Sequence, residues 1–399
     1  MPDHRQSSRL AAGFSLPAAF ALLSTGLIPT SGIDTMGLAL PGIRNHFAAQ
    51  PHADLLTQCI GSAAAFAFAL SSPVMGRWID RFGYRAIYIV SLILFTAIGI
   101  SGAFAGSLWI IVLTRALIGI AIAGALTAGL TGIGSLDPSD RPRMLGLHAL
   151  TGSLGGIILF QLVGHLAEMG WRAPFAVHLL GLMLLPFALC LPRRAHIPNN
   201  PPQEPGVRGP ILAGVTMPLL LATAGVGIVM FTVPMLGPFY LIEIGVTQAS
   251  VASIPLSAMA LSAMLTAAVY GRIFERFGLM GSFVIGFTLM AGGLLVAGLA
   301  TTIVAFTLGS ILVGSSLCIL CPNISAAAIG GSAGRPGQAI GITSAVLHGI
   351  PIILPFFAQP VMDRWGVGAI FVVLSTALLL GCGAYGVVLM IKGAHARSH

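Results

Sequence analysis

The chain has 399 residues, of which 56% are hydrophobic and 8% charged, with mean hydropathy +0.96 and a formal net charge of +8. A soluble domain carries about 25% charged residues, so this chain cannot coat itself against water, and lipid is its outer solvent. The basic residues are spread over loops rather than gathered on one module, which excludes nucleic acid as the partner they serve.

A membrane-crossing helix needs about 20 apolar residues. Cutting the sequence at polar and turn-rich points predicts twelve spans, so the expected fold class is an all-α membrane protein. The first six are 14–43, 53–76, 84–105, 107–131, 143–167 and 171–191; the second six are 211–240, 246–272, 279–300, 302–329, 336–362 and 367–391. The proline-rich polar stretch 193–210 reads as a linker between two six-helix bundles, residues 1–192 and 211–399. No cleavable signal peptide is expected, because the first apolar stretch is too long for one and carries Asp34. With both termini cytoplasmic, every basic residue faces the inside except Arg44, Arg115, Arg172 and Arg364. That is the asymmetry that sets orientation.

One string occurs twice. Gly76-x-x-x-Asp80-Arg81-Phe82-Gly83 returns 195 residues later as Gly271-x-x-x-Glu275-Arg276-Phe277-Gly278. A repeat of half the chain implies two copies of one multi-helix unit, as in one class of secondary transporter. Gly76 and Gly83 are expected to allow a tight turn between spans two and three.

These residues carry a family resemblance. Gly76-x-x-x-Asp80-Arg81-x-Gly83-x-Arg85 is similar to motif A of the major facilitator superfamily, and the copy at Gly271, Glu275 and Arg276 resembles its degenerate partner. Asp34-Thr35-Met36-Gly37-Leu38-Ala39-Leu40-Pro41 resembles the first span of the proton-coupled drug antiporters with twelve spans. Arg115-x-x-x-Gly119-x-Ala121-x-Ala123-Gly124 is similar to their motif B, with Ile118 where glutamine is usual. Span five carries Gly155-Gly156 and Gly164 but lacks the Gly-Pro pair of their motif C. The resemblance implies the major facilitator fold: two pseudo-symmetric bundles rocking in alternating access. It implies that Asp80, Arg81 and Arg85 latch the cytoplasmic side in the outward-facing state.

Charge within the bilayer is costly, so buried ionisable groups mark pathways. Asp34 is the one carboxylate well within a span; Asp54, Glu168, Glu243 and Asp363 fall at external ends. Arg115 is the one basic residue deep in a span, at a depth similar to Asp34. A pair between them would offset both desolvation costs, and a proton or a cationic substrate could break it. A static structural pair is the alternative. On a helical wheel Ser24, Thr30, Ser31, Asp34 and Thr35 form a polar stripe in span one. Ser344, His348, Pro351, Pro355 and Gln359 form another in span eleven. His348 is near the midplane and either carries protons or contacts substrate, or else is a neutral side chain bonded to a neighbouring helix. Asn323 after Pro322 and Gln161 are the other midspan polar candidates, while His148, His165 and His178 read as structural.

No metal site, cofactor or nucleophile constellation is expected. Cys318 and Cys321 share a helical face without further ligands. There is no phosphate-binding G-x-x-x-x-G-K-[ST] loop, which argues against an ATP-driven pump. The expected function is a monomeric inner-membrane transporter, not an enzyme, exporting amphiphilic small molecules against a proton gradient. A proton-coupled importer or a facilitator of a small metabolite stays open, given the span-five pattern.

Overall fold

A computed structural model of the chain describes residues 15–136, 140–192, 215–331 and 336–381. The expected linker 193–210 and the end of the last expected span lie outside the described residues. The described chain is helical: α1 (Leu16–Ser24), α2 (Leu27–Gly32), α3 (Leu40–His46), α4 (Ala53–Phe82), α5 (Tyr84–Ser101), α6 (Leu108–Gly134), α7 (Arg141–Glu168) and α8 (Leu180–Leu189) come first. Then follow α9 (Met217–Glu243), α10 (Ala249–Gly298), α11 (Ile303–Gly331), α12 (Pro336–Gly349), α13 (Leu354–Trp365) and α14 (Gly368–Gly381). Short 3-10 segments, Asp34–Ala39, Ala173–Leu179 and Ile350–Ile353, interrupt the first, sixth and eleventh expected spans.

Seven of these helices, with the stretch Ile342–Trp365 through α12 and α13 as an eighth, are long and apolar enough to cross a membrane, and α1 with the bent continuation Leu27–His46 makes a ninth. One of the eight, α10, is two helices by geometry, because Gly278 breaks it at φ 65. Large apolar side chains such as Leu70, Leu113, Ile158, Met183 and Leu265 are exposed. That is the surface of a protein solvated by lipid.

The repeat is visible in the backbone. Gly83 turns the chain at φ 83 and Gly278 at φ 65, conformations in which a side chain is strained. Arg81 stacks on Phe82 at 5.4 Å, and Arg276 on Phe277 at 5.5 Å. Gly76 does not take part in the turn, contrary to expectation. It lies inside α4, which runs to Phe82, six residues past the predicted boundary. Apolarity stops at the polar motif, but nothing in Arg77 to Phe82 disfavours helix, so the helix stops only at Gly83.

The halves pack differently at their two ends. Call the end carrying Gly83 and Gly278 the motif end, and the other the seam end. At the seam end one apolar cluster draws on both halves, joining Met36, Leu40, Leu56 and Val163 to Val233, Leu236, Leu256 and Leu354. Toward the motif end the clusters largely separate: Ile79, Tyr84, Ile133 and Met144 belong to a first-half cluster whose one buried member from the second half is Phe231 of α9, and Val215, Ala328 and Ala339 to the second half.

Two helix pairs form the seam, α7 with α10 and α4 with α12–α13. Both are antiparallel. Along the first, Gly164 faces Ser253, Gln161 faces Ser257 and Gly156 faces Ala260. Along the second, Gln58 meets Gln359 and Phe68 meets His348. The 195-residue offset maps Gln58 onto position 253 and Gly164 onto position 359. The two seams are therefore one contact used twice.

Candidate functional site

Asp34 sits where the first span breaks. Helix α1 ends at Ser24, α2 is six residues long, and Ile33 leads into the 3-10 segment that begins at Asp34. Its carboxylate takes a hydrogen bond from Thr30 and is half-buried. The segment can approach α9 because Gly37 has no side chain; a Cβ there would collide with the Pro234 carbonyl.

The continuous polar stripe expected in span one does not form, since a helical wheel fails across a 45° bend. Thr30 and Asp34 stay half-buried, whereas Ser24, Ser31 and Thr35 are fully buried. The latter three bond the carbonyls of Ala21, Ile28 and Ser31, at 3.0, 3.0 and 3.1 Å. Thr25 joins His148 at 3.0 Å.

The expected Asp34–Arg115 pair is not formed. The one ion pair among the described residues is Arg44–Asp54, at 2.7 Å on the surface. Arg115 is fully buried on α6, its guanidinium 5.3 Å from the Phe175 ring and its Nη1 3.3 Å from His178 Nε2. His178 Nδ1 lies 2.8 Å from the Phe175 carbonyl. Donating its proton there leaves Nε2 to accept from Arg115. Similar depth put Arg115 and Asp34 together on paper, but depth does not fix which way a helix face points. The partner His178 is 63 positions away in sequence, and no spacing rule reveals it.

In the second half, Asn323 is fully buried on α11 and accepts from Tyr270 Oη at 2.8 Å, while its Nδ2 has no partner. His348 is half-buried, its Nδ1 3.0 Å from the Ser344 carbonyl and its ring edge-on to Phe68 at 5.1 Å. Nδ1 donates, so Nε2 is a bare acceptor at the interface of the halves. Gln161 belongs to the seam: its Nε2 donates to Ser257 at 2.9 Å. Of the expected pathway residues, Thr30 and Asp34 come together, and Arg115 and Asn323 each stand in a separate buried cluster.

The motif residues are spread out. Asp80, Arg81, Glu275 and Arg276 are exposed, and no hydrogen bond or ion pair among the described residues joins them across the halves. Arg85 instead caps α8, donating to the Leu189 carbonyl at 2.7 Å. A Cβ on Gly76 or on Gly271 would meet nothing within 4 Å.

Sequence reasoning passed over the polar contacts of the seam end. Every side-chain hydrogen bond between the halves among the described residues lies there. Gln58 donates to Gln359 and to Met362 Sδ, Gln161 to Ser257, Ser257 to the Ile157 carbonyl, and Ser250 to Glu168. A cavity of about 170 Å³ opens at this end, lined by Asn45, Trp171, Thr247 and Gln248 among others. None of the expected pathway residues lines it.

Known proteins resemble this chain in both sequence and shape. The family model for the Major Facilitator Superfamily matches residues 22–355. A gentisate transporter of Corynebacterium glutamicum is 28% identical over 137 residues, 33% of this chain and 31% of that protein. Multidrug resistance protein 1 of Bacillus subtilis is 32% identical over 107 residues, 26% of this chain and 27% of that protein. The matched stretches thus span about a third or less of these relatives' lengths. The crystal structure of the nucleoside transporter NupG has a TM-score of 0.73 at 14% identity, covering 93% of this chain and 99% of that one.

Proposed function

The chain belongs to the Major Facilitator Superfamily, and on that premise we propose that it exports amphiphilic small molecules in exchange for protons, across a cell inner membrane. The observation that carries the reading is Asp34, a half-buried carboxylate at the break of the first span, held by Thr30. An acid at that depth persists because it does work there, taking up a proton or a cationic group. Across the interface of the halves His348 meets the apolar ring of Phe68, and no second carboxylate among the described residues stands beside Asp34. A mostly apolar cavity with one acid suits lipophilic molecules that carry a basic nitrogen.

In this reading the motif end is cytoplasmic, as the distribution of arginines requires. The twelve expected spans follow if the bent first pair counts as one span, α10 counts twice, at Gly278, and Ala173–Leu189 and Gly368–Gly381 count as one each. The described conformation is then inward-open. Its halves part at the motif end, and Asp80 and Arg81 are disengaged from any latch.

A second reading, proton-coupled import of a small metabolite, is favoured by one observation. The stretch from Gly155 to Gly164 has no proline, and the gentisate transporter is among the relatives. Purified protein in proteoliposomes, given a panel of lipophilic cations and small organic acids under a pH gradient of either sign, separates the two. Cation efflux coupled to proton influx supports export. Acid uptake along the proton gradient supports import. Flux indifferent to the gradient would overturn proton coupling in both.

A further inference from the structure

Four carboxylates fall at the seam end, and each is engaged. Asp54 pairs with Arg44, Glu243 accepts from the Val367 N–H, Glu168 accepts from Ser250, and Asp363 accepts from Gln359. The first two contacts stay within one half. The last two belong to contacts that cross between halves.

Glu168 ends α7. One of its oxygens accepts both the backbone N–H of Ser250, at 3.1 Å, and the Ser250 hydroxyl. Ser250 is the second residue of α10, so the carboxylate also sits at a helix N-terminus, where backbone N–H groups favour negative charge. Asp363 lies near the end of α13. It accepts from Gln359 Nε2 at 2.7 Å, and Gln359 Oε1 accepts from Gln58 of the first half. Gln58 is 2% exposed, so its amide is held in the seam rather than in solvent. Each chain of hydrogen bonds thus crosses from one half to the other and ends on a carboxylate, which strengthens the links nearest the charge.

The two carboxylates occupy the same place in the repeat. The 195-residue offset that relates Gly76 to Gly271 carries position 168 onto position 363. Each bundle therefore ends its fifth helix in an acid that closes the rim against its neighbour. Resting on the alternating-access reading, we propose that Glu168 with Ser250, and Asp363 with Gln359 and Gln58, are paired external clasps that hold the transporter in its inward-open state. The motif-end latch and the clasps then oppose one another. The first is engaged when the second are released.

The magnitudes suit a switch. The clasps are exposed at their acid ends, so each biases the equilibrium only a few-fold. The two outward- and inward-facing states of a working transporter differ by little, so a few-fold bias matters. The shared apolar core carries the bulk of the seam and is common to every variant below.

The test reads conformation rather than flux. Spin labels at Phe104→Cys and Thr301→Cys, exposed loop sites on opposite halves at the seam end, are placed in a background lacking the five native cysteines. Pulsed dipolar spectroscopy in nanodiscs gives the ratio of long to short distances. Glu168→Ala or Asp363→Ala alone should raise the seam-open fraction about threefold, and the two together about tenfold. Ser250→Ala and Gln359→Ala remove single partners without touching an acid, so they test the same clasps if an acid variant folds poorly. They should move the ratio in the same direction. Distances in the double variant that overlay the wild type, in protein that melts normally, overturn the clasps and leave the transport reading standing. Seams that open in the variants while no panel compound ever moves across the membrane keep the clasps and sink the transport reading.

Discussion

The two ends of the molecule differ in what is written on them and in what holds them. The motif end carries the repeated sequence string, with acids and arginines at fixed spacing. Yet Asp80 and Glu275 meet no partner among the described residues, and the apolar clusters there draw almost wholly on one half each. The seam end has no recognisable string. It has one shared core, four engaged carboxylates and all the side-chain hydrogen bonds between halves among the described residues. A conformation is held by whichever contacts are made at that moment. On the proposed reading the sequence motif marks contacts made in the other conformation, so the string and the contacts now formed lie at opposite ends.

The most severe way to break this comparison is to weld the closed end. Gln58→Cys with Gln359→Cys, in a cysteine-free background, places two thiols where the amides now touch. Oxidation or a short bismaleimide should abolish transport, and reducing the disulfide should restore it. Continued flux through fully cross-linked protein would mean that the seam does not open during the cycle. Next in size is Asp34→Asn. It should lower proton-driven transport at least about 100-fold, as loss of a proton-transfer group does, while melting and the seam distances stay as in the wild type. Unchanged proton-driven flux would move the coupling site elsewhere, with His348 the first alternative.

The remaining three predictions sharpen the contrast at the motif end. Gly83→Ala forces a side chain into a glycine conformation at φ 83, ψ 149 and should cost about 1–3 kcal/mol, read as a lower melting temperature in detergent. Gly76→Ala should leave melting unchanged, since its Cβ would meet nothing within 4 Å. If it nevertheless slows transport, the close approach it blocks belongs to the outward-facing state. The smallest effect is expected for Asp80→Asn. Distances across the motif end should not change at rest, because the latch is already apart; a lengthening would show that the wild-type population still engages it.

Much of the fold was legible because apolar length and glycine punctuation are local properties. Helices fell where apolar stretches were read, and Gly83 and Gly278 turn the chain where the repeat placed them. Where the reading failed, the cause was geometric. The wheel drawn for span one assumed an unbroken helix, but the chain bends near Gly26 and turns to 3-10 structure at Asp34. Residue count puts Arg115 and Asp34 at similar depth, but Arg115 meets His178 and Phe175 instead, so the pair does not form although Arg115 is buried as expected. The stripe in span eleven fared better: His348 and Gln359 both reach α4, against Phe68 and Gln58. What no periodicity could reveal was contact between halves. Gln58 with Gln359, and Gln161 with Ser257, join residues 301 and 96 positions apart.

The shared position of Glu168 and Asp363 has an evolutionary consequence. Two identical copies of a six-helix ancestor, meeting about a twofold axis, must build both rims alike, and any mutation strikes both at once. Fusion into one chain frees each rim to change alone. Here one rim reaches its serine directly, and the other reaches across through two amides. The rims can then yield under different loads and in a definite order. On the proposed reading, two repeats fused in one chain can in this way open unequally at their rims, which two identical copies could not.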